Sequence, residues 1–295
     1  MAPRLTFFTG KGGVGKSTIA ALQAVAEAGL GKRVLLVSLD PAHNLGDIFQ
    51  KNLGDEPKEC AEGLRVYEPD IRQWSERYLR DIEEQLRASY RYLTALNIDR
   101  YFKVLRHSPG LDEYAMSLIF RTLLQEHAGV DHVIFDMPPT GLSMRFFAAP
   151  SISAVWTHEL LALRRSILER KEMITTVTLG RRSFETDKVL QRLEQESERY
   201  ARQEACFRDE GTSIHIVINP DKLSWHEAQR IIGELRDLRF QPRRIFLNKS
   251  TATLPPDLPT ELTPAVILPR IDRDLIGLDA LNEYLNLHGA ALGRL

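Results

Sequence analysis

Residues Phe7–Gly29, FFTGKGGVGKSTIAALQAVAEAG, place five glycines and two lysines between a run of β-formers and an alanine-rich segment. Gly10-Lys11-Gly12-Gly13-Val14-Gly15-Lys16-Ser17 matches GxxxxGK[ST], follows a predicted strand and opens a predicted helix. That context decides the fold. Glycines let the backbone curl so that successive N–H groups face a phosphate, and the helix N-terminus adds its dipole. Lys16 supplies a cation, and Ser17 offers a hydroxyl to Mg²⁺. The bland alternative, a glycine turn that only joins strand to helix, is disfavoured by the spacing. One lysine suffices to grip a phosphate, so Lys11 needs its own explanation.

Working outward, short β-branched or aromatic runs recur at Leu5–Thr9, Arg33–Leu39, His132–Met137, Ser213–Asn219, Arg243–Asn248 and Ala265–Leu268. Most are continuously apolar, the pattern of strands covered on both faces. Helical stretches such as Ser17–Glu27 and Trp225–Leu238 lie between them. The succession predicts an α/β fold of the P-loop NTPase kind, a mostly parallel sheet covered by helices on both faces.

Two blocks, about 71–127 and 151–208, hold more helical sequence than simple crossovers need. The first has an apolar stripe of Leu93, Leu96, Phe102 and Leu105; the second ends in mixed charges around a thin stripe of Val189, Leu193 and Tyr200. We read 1–295 as a single P-loop domain with these blocks inserted as a helical layer. Ordinary supporting helices are the alternative.

The 295 residues are 43% hydrophobic and 27% charged, enough for a large core. With 39 basic against 40 acidic residues, the formal charge of −1 gives no global pull toward nucleic acid or anionic lipid. The two cysteines, Cys60 and Cys206, stand far apart, which argues against a disulfide scaffold and suits a cytoplasmic location. Glycine ends the first apolar run before a signal-peptide core forms, and no apolar stretch is long enough to span a bilayer.

Acidic residues gather at the ends of the predicted strands. Asp40 sits at the carboxyl end of the second, Asp47 follows in the loop after Pro41, and Asp136 ends a buried strand before Pro138, Pro139 and Gly141. Ligands bind at such strand ends in open α/β sheets. An isolated Asp there is more often a helix cap; chemistry at several strand ends together makes the cap reading weaker.

With these pieces assembled, the sequence resembles the arsenite-pump ATPase family, which includes the eukaryotic targeting ATPase for tail-anchored membrane proteins. GKGGVGKST looks like its deviant Walker A, DPAHNLGD like its first switch and DMPPTGLSMRFFAAP like its second. SPGLDEYAMS (108–117), INPDKLSWHEAQRII (218–232), FLNKS (246–250) and LPRIDRDLIGLDAL (268–281) extend the match in family order over nearly the whole chain.

The resemblance implies a Mg²⁺-dependent ATPase that closes as a homodimer around ATP. Lys11 would then be the signature lysine that reaches the partner's phosphates, as an arginine finger does in trans. Gly12, Gly13, Val14, Gly15, Lys16, Ser17 and Thr18 would cradle phosphates, and Ser17, Asp40 and Asp136 would serve the metal. Asp47 matches the acid that orients the attacking water, Asn248 the adenine-reading asparagine, and Pro269 the loop flanking adenine. Implied partners are a second copy and a hydrophobic helical client or membrane protein, with no nucleic acid.

The pattern departs in places. No CxxC follows Asn248, so no zinc-stapled dimer is expected, and the lone cysteines make arsenite sensing doubtful. Leu142 replaces the usual histidine of the second switch, and Gly46 the serine of the first. Phe146, Phe147, Val155, Trp156, Leu160 and Leu161 would make either a client-binding face or plain core. An arsenite-stimulated pump subunit and a nucleotide-gated chaperone with little turnover remain alternatives.

Overall fold

The computed structural model describes residues 3–42, 44–89, 104–106, 108, 110–127, 129–179, 187–251 and 265–289. In chain order the elements are β1 (Arg4–Thr9), α1 (Lys16–Gly29), β2 (Val34–Ser38), α2 (Asn44–Phe49), β3 (Lys58–Ala61), β4 (Leu64–Tyr67), α3 (Ile71–Ser89) and α4 (Leu111–Glu126). They continue with β5 (His132–Asp136), α5 (Thr140–Leu179), α6 (Lys188–Arg208), β6 (Thr212–Ile218), α7 (Lys222–Asp237), β7 (Arg244–Ser250), β8 (Ala265–Pro269) and α8 (Leu278–His288).

Among the described residues the strands form one eight-stranded sheet in the order β3-β4-β2-β5-β1-β6-β7-β8, in which only β3 and β4 pair antiparallel. The six predicted strands are present within a residue or two. β3 and β4 escaped the sequence reading because they are four residues each, and Lys58 and Glu59 are exposed at the sheet edge, where charge is tolerated and no continuous apolar run is needed.

Alternation along β1 builds the two layers. Phe7 stacks on Phe135 with ring centroids 4.9 Å apart, and Phe120 of α4 and Phe146 close that cluster. Phe8 joins the opposite cluster with Val217 and Phe246, covered by Ile19 and Leu22 of α1 and by Leu281 and Tyr284 of α8. All four phenylalanines of the first cluster are buried, and truncating any one to alanine should cost about 3–5 kcal/mol.

The chain divides into two compact units, Met1–Phe146 with Glu210–Leu295, and Phe147–Asp209. Helices α3 and α4 belong to the first, whereas the sequence reading groups the 71–127 block with 151–208. Within the second unit, Asp187 caps α6 by accepting from Leu190 N at 2.7 Å and holds the Arg164 guanidinium at 2.6 Å. Of the expected stripe on α6, Tyr200 is buried and Val189 exposed. Leu93, Leu96 and Phe102 lie outside the described residues, and Leu105 is exposed.

Candidate nucleotide site

Parallel register brings the carboxyl ends of three strands level: Asp136 of β5 pairs with Phe8 of β1 on one side and Ser38 of β2 on the other. The chain leaves β1 for β2, while β6 lies on the other side of β1. The glycine loop therefore opens where strand order changes direction. Gly10 and Gly15 are irreplaceable for different reasons. A Cβ on Gly10 would run into the Val217 carbonyl, and one on Gly15, at φ +94°, into the Asn248 side-chain amide. Gly15 also caps α1 without any side-chain bond, so the N-cap position supplies no oxygen to the first-turn N–H groups, an arrangement suited to an anion.

Below the loop lies a charged cluster. Lys16, 5% exposed, donates from Nζ to the Lys11 carbonyl at 3.3 Å. Burial pushes its pKa down, while Asp136 and Asp40 push it up. Asp136 is fully buried, and burial lifts its carboxyl to about 7 against the opposing influence of Ser17, Lys16 and Ser38. The Ser38 hydroxyl donates to Asp136 Oδ2 at 3.3 Å and accepts from Asp40 N at 3.3 Å, tying the two acids together. Asp136 Oδ1 and the hydroxyls of Thr9 and Thr140 are buried without a hydrogen-bond partner among the described residues. Leaving a buried carboxylate oxygen bare is costly unless something else completes the site.

The remaining residues of the sequence assignment fall around this cluster. Gly12 and Gly13 are exposed, Val14 and Ser17 buried, and Lys11 and Thr18 half-buried. Lys11 Nζ makes no hydrogen bond or ion pair among the described residues. Asn248, within β7, donates from Nδ2 to the Val14 carbonyl at 2.8 Å, and Pro269 closes β8 with its carbonyl accepting from Tyr284 Oη at 3.3 Å. In the second switch, Ser143 donates to the Pro138 carbonyl at 2.5 Å and fixes the turn into α5. Asp47 differs. It is exposed in the first turn of α2 and lines a cleft with Lys51, Asp55, Asp70 and Gln73 to which no glycine-loop residue contributes. Of the two acids in the first switch, Asp40 is the one whose charge reaches Lys16 and Asp136.

Two residues here went unnoticed in the sequence. Lys249, exposed and at φ +53°, brings its Nζ to 3.5 Å from the Gly13 carbonyl, a further cation at the loop rim. Buried Glu68, just after β4, accepts from Leu45 N and Gly46 N. Its only sequence signal is an acid at the end of a strand too short to recognise. Cys60 is buried and Cys206 half-buried, and burial pushes both thiols up in pKa.

Comparison with known proteins agrees with this geometry. Residues 3–258 match the family model described as Anion-transporting ATPase. The chain is 28% identical to putative arsenical pump-driving ATPase 2 of Aquifex aeolicus over 86% of this chain and 82% of that one. It is 31% identical to ATPase GET3 of Paracoccidioides lutzii over 83% and 72% of the two chains, and 25% identical to ATPase ASNA1 homolog 1 of Paramecium tetraurelia over 95% and 91%. A match over so much of the chain, on a sheet whose glycine loop meets a buried lysine and two strand-end acids, makes this protein an ATP-hydrolysing member of the anion-transporting ATPase family.

Proposed function

We propose that the enzyme hydrolyses Mg²⁺ATP between two copies of itself and couples closure of that pair to a hydrophobic helical client. The observation that carries the reading is the buried Lys16–Asp136–Asp40 cluster beneath an open glycine loop. The orphaned Asp136 Oδ1, beside the Ser17 hydroxyl and Asp40, fits a hydrated divalent cation. Ser17 and Asp136 would hold it, with Asp40 beside them; bound there, Mg²⁺ neutralises charge on the phosphates.

The chain's own groups do the rest. Lys16 and the loop amides Gly12 to Thr18 bind phosphate oxygens in a desolvated site, where each interaction is strengthened. Asn248 spends its amide N–H on Val14 and offers its oxygen to the adenine amine, with Pro269 flanking the base. Asp40, within the field of Lys16, orients the attacking water, the role the resemblance gives Asp47. Lys11, a half-buried cation without an ion pair among the described residues, supports a role on the partner's phosphates.

For the client, support comes from the second unit. Ile152, Val155, Trp156, Leu160, Leu163 and Ile167 recur at helical spacing along α5, and each is at least 43% exposed. This favours a helical client over an arsenite-stimulated pump, whose soft thiolate cluster these cysteines do not supply. No described helix is long and apolar enough to cross a membrane.

Light scattering with a non-hydrolysable ATP analogue and Mg²⁺ tests the reading. Wild type should double its mass and Lys11→Ala should remain a monomer that still binds nucleotide. An undiminished dimer in the variant would refute closure through Lys11. Capture of an apolar helical peptide should fall in Trp156→Ser/Leu160→Ser, and unchanged capture would remove α5 as the client face.

A further inference from the structure

We propose that Glu68 is a positioning residue for ATP turnover, a buried carboxylate that clamps the first-switch helix and passes its movement to α3. The inference rests on reading residues 40–49 as the part that responds to nucleotide. α2 has six residues, far too few to hold helical form alone. It is held at both ends by distant parts of the chain. Glu68 Oε1 accepts from Leu45 N at 2.5 Å and Oε2 from Gly46 N at 3.1 Å, satisfying two first-turn amides with one charged group. At the other end, Gly277 N donates to the Ile48 carbonyl at 2.7 Å.

Gly46 lets the clamp close fully. A Cβ there would stand 3.2 Å from Glu68 Oε2 and 3.1 Å from the Lys51 carbonyl, so a larger residue must push the carboxylate back. The usual serine of the family at this position would therefore loosen a contact that this chain makes tight.

The connection to α3 follows from sequence neighbours with different tasks. Two residues after Glu68, Asp70 Oδ1 accepts from Arg72 N at 2.9 Å and Gln73 N at 3.2 Å and so caps α3. Pro69 between them has a fixed φ. Two acids thus cap two helices across one stiff residue. A shift of α2, begun at Asp40 beside Lys16, pulls on Glu68 and displaces the Asp70 cap.

Hydrogen–deuterium exchange on the full chain, with and without Mg²⁺ and a non-hydrolysable ATP analogue, tests this in wild type, Glu68→Gln and Glu68→Ala. Without nucleotide, Leu45 and Gly46 should exchange about tenfold faster in Glu68→Ala, with the near-isosteric Glu68→Gln in between because it keeps one acceptor. With nucleotide, residues 71–76 should respond in wild type and lose that response in both variants. kcat should fall about tenfold in Glu68→Ala and less in Glu68→Gln, with KM for ATP within about twofold, because Glu68 touches no phosphate. Unchanged α2 exchange, an α3 response that survives in Glu68→Ala, or a change confined to KM would each overturn the proposal. Failure of the underlying reading would look different: residues 40–49 would show no response to nucleotide even in wild type, although residues 12–18 are protected.

Discussion

Asn248 reaches across 234 residues of sequence to the glycine loop, its Nδ2 donating to the Val14 carbonyl at 2.8 Å, and its amide fills the space that a Cβ on Gly15 would need. The loop is therefore shaped from outside as well as by its own glycines. Gly15→Ala, strained at φ +94° and in collision with Asn248, should abolish ATP binding. Asn248→Ala removes one hydrogen bond of about 1 kcal/mol and should weaken ATP about fivefold, or more if the base contact is lost with it. Calorimetric titration with a non-hydrolysable analogue separates the two.

Asp40 and Asp47 lie seven positions apart in the sequence but in different surroundings. Asp40 is buried and influences both Lys16 and Asp136, whereas Asp47 is exposed and lines a cleft without any glycine-loop residue. Asp40→Asn should bind ATP yet lose at least about a hundredfold in turnover, the scale of a lost catalytic carboxylate. Asp47→Asn should stay within about threefold of wild type. Phosphate-release rates decide it; the reverse ranking would support the role that the resemblance gives Asp47.

His132 Nδ1 stands 2.6 Å from Glu27 Oε2, with Thr6 Oγ1 2.8 Å from the other ring nitrogen. Burial alone would raise the Glu27 carboxyl, but His132, Gln23 and Lys32 together hold it down at about 2. A depressed carboxyl stabilises the fold above its unfolded pKa and loses that contribution as pH falls. That contribution should therefore disappear between pH 4.5 and 2. Glu27→Gln should melt lower at pH 7 and show a flatter acid limb in thermal scans followed by circular dichroism.

His215 is buried between the rings of Phe8 and Phe246, its Nδ1 without a partner among the described residues. Burial, helped by Arg244 and Arg243, lowers its pKa to about 3. Only the unfolded chain takes up this proton between pH 6.5 and 3, so stability is full above 6.5 and declines below it. At pH 5 the loss should be about 2 kcal/mol. His215→Phe keeps a ring in place, and its melting temperature should drop less between pH 7 and 5 than that of wild type.

The P-loop core was readable because its signals are local. Apolar runs at β1, β2, β5 and β6 announce strands buried on both faces, and the glycine spacing after β1 fixes the turn whatever surrounds it. β3 and β4 were not readable, since strands of four residues, the outer one with exposed Lys58 and Glu59, are too short for a period to register. Glu68 was hidden with them.

The sequence by itself determined the strand–loop–helix unit, the phosphate loop and the set of acids at strand ends, because backbone freedom and side-chain chemistry at adjacent positions need no distant partner. Tertiary structure alone decided the surroundings of each acid. Burial and electrostatic reach depend on strand order and register, which set Asp136 beside Ser38 and Asp40 near Lys16 while leaving Asp47 facing water.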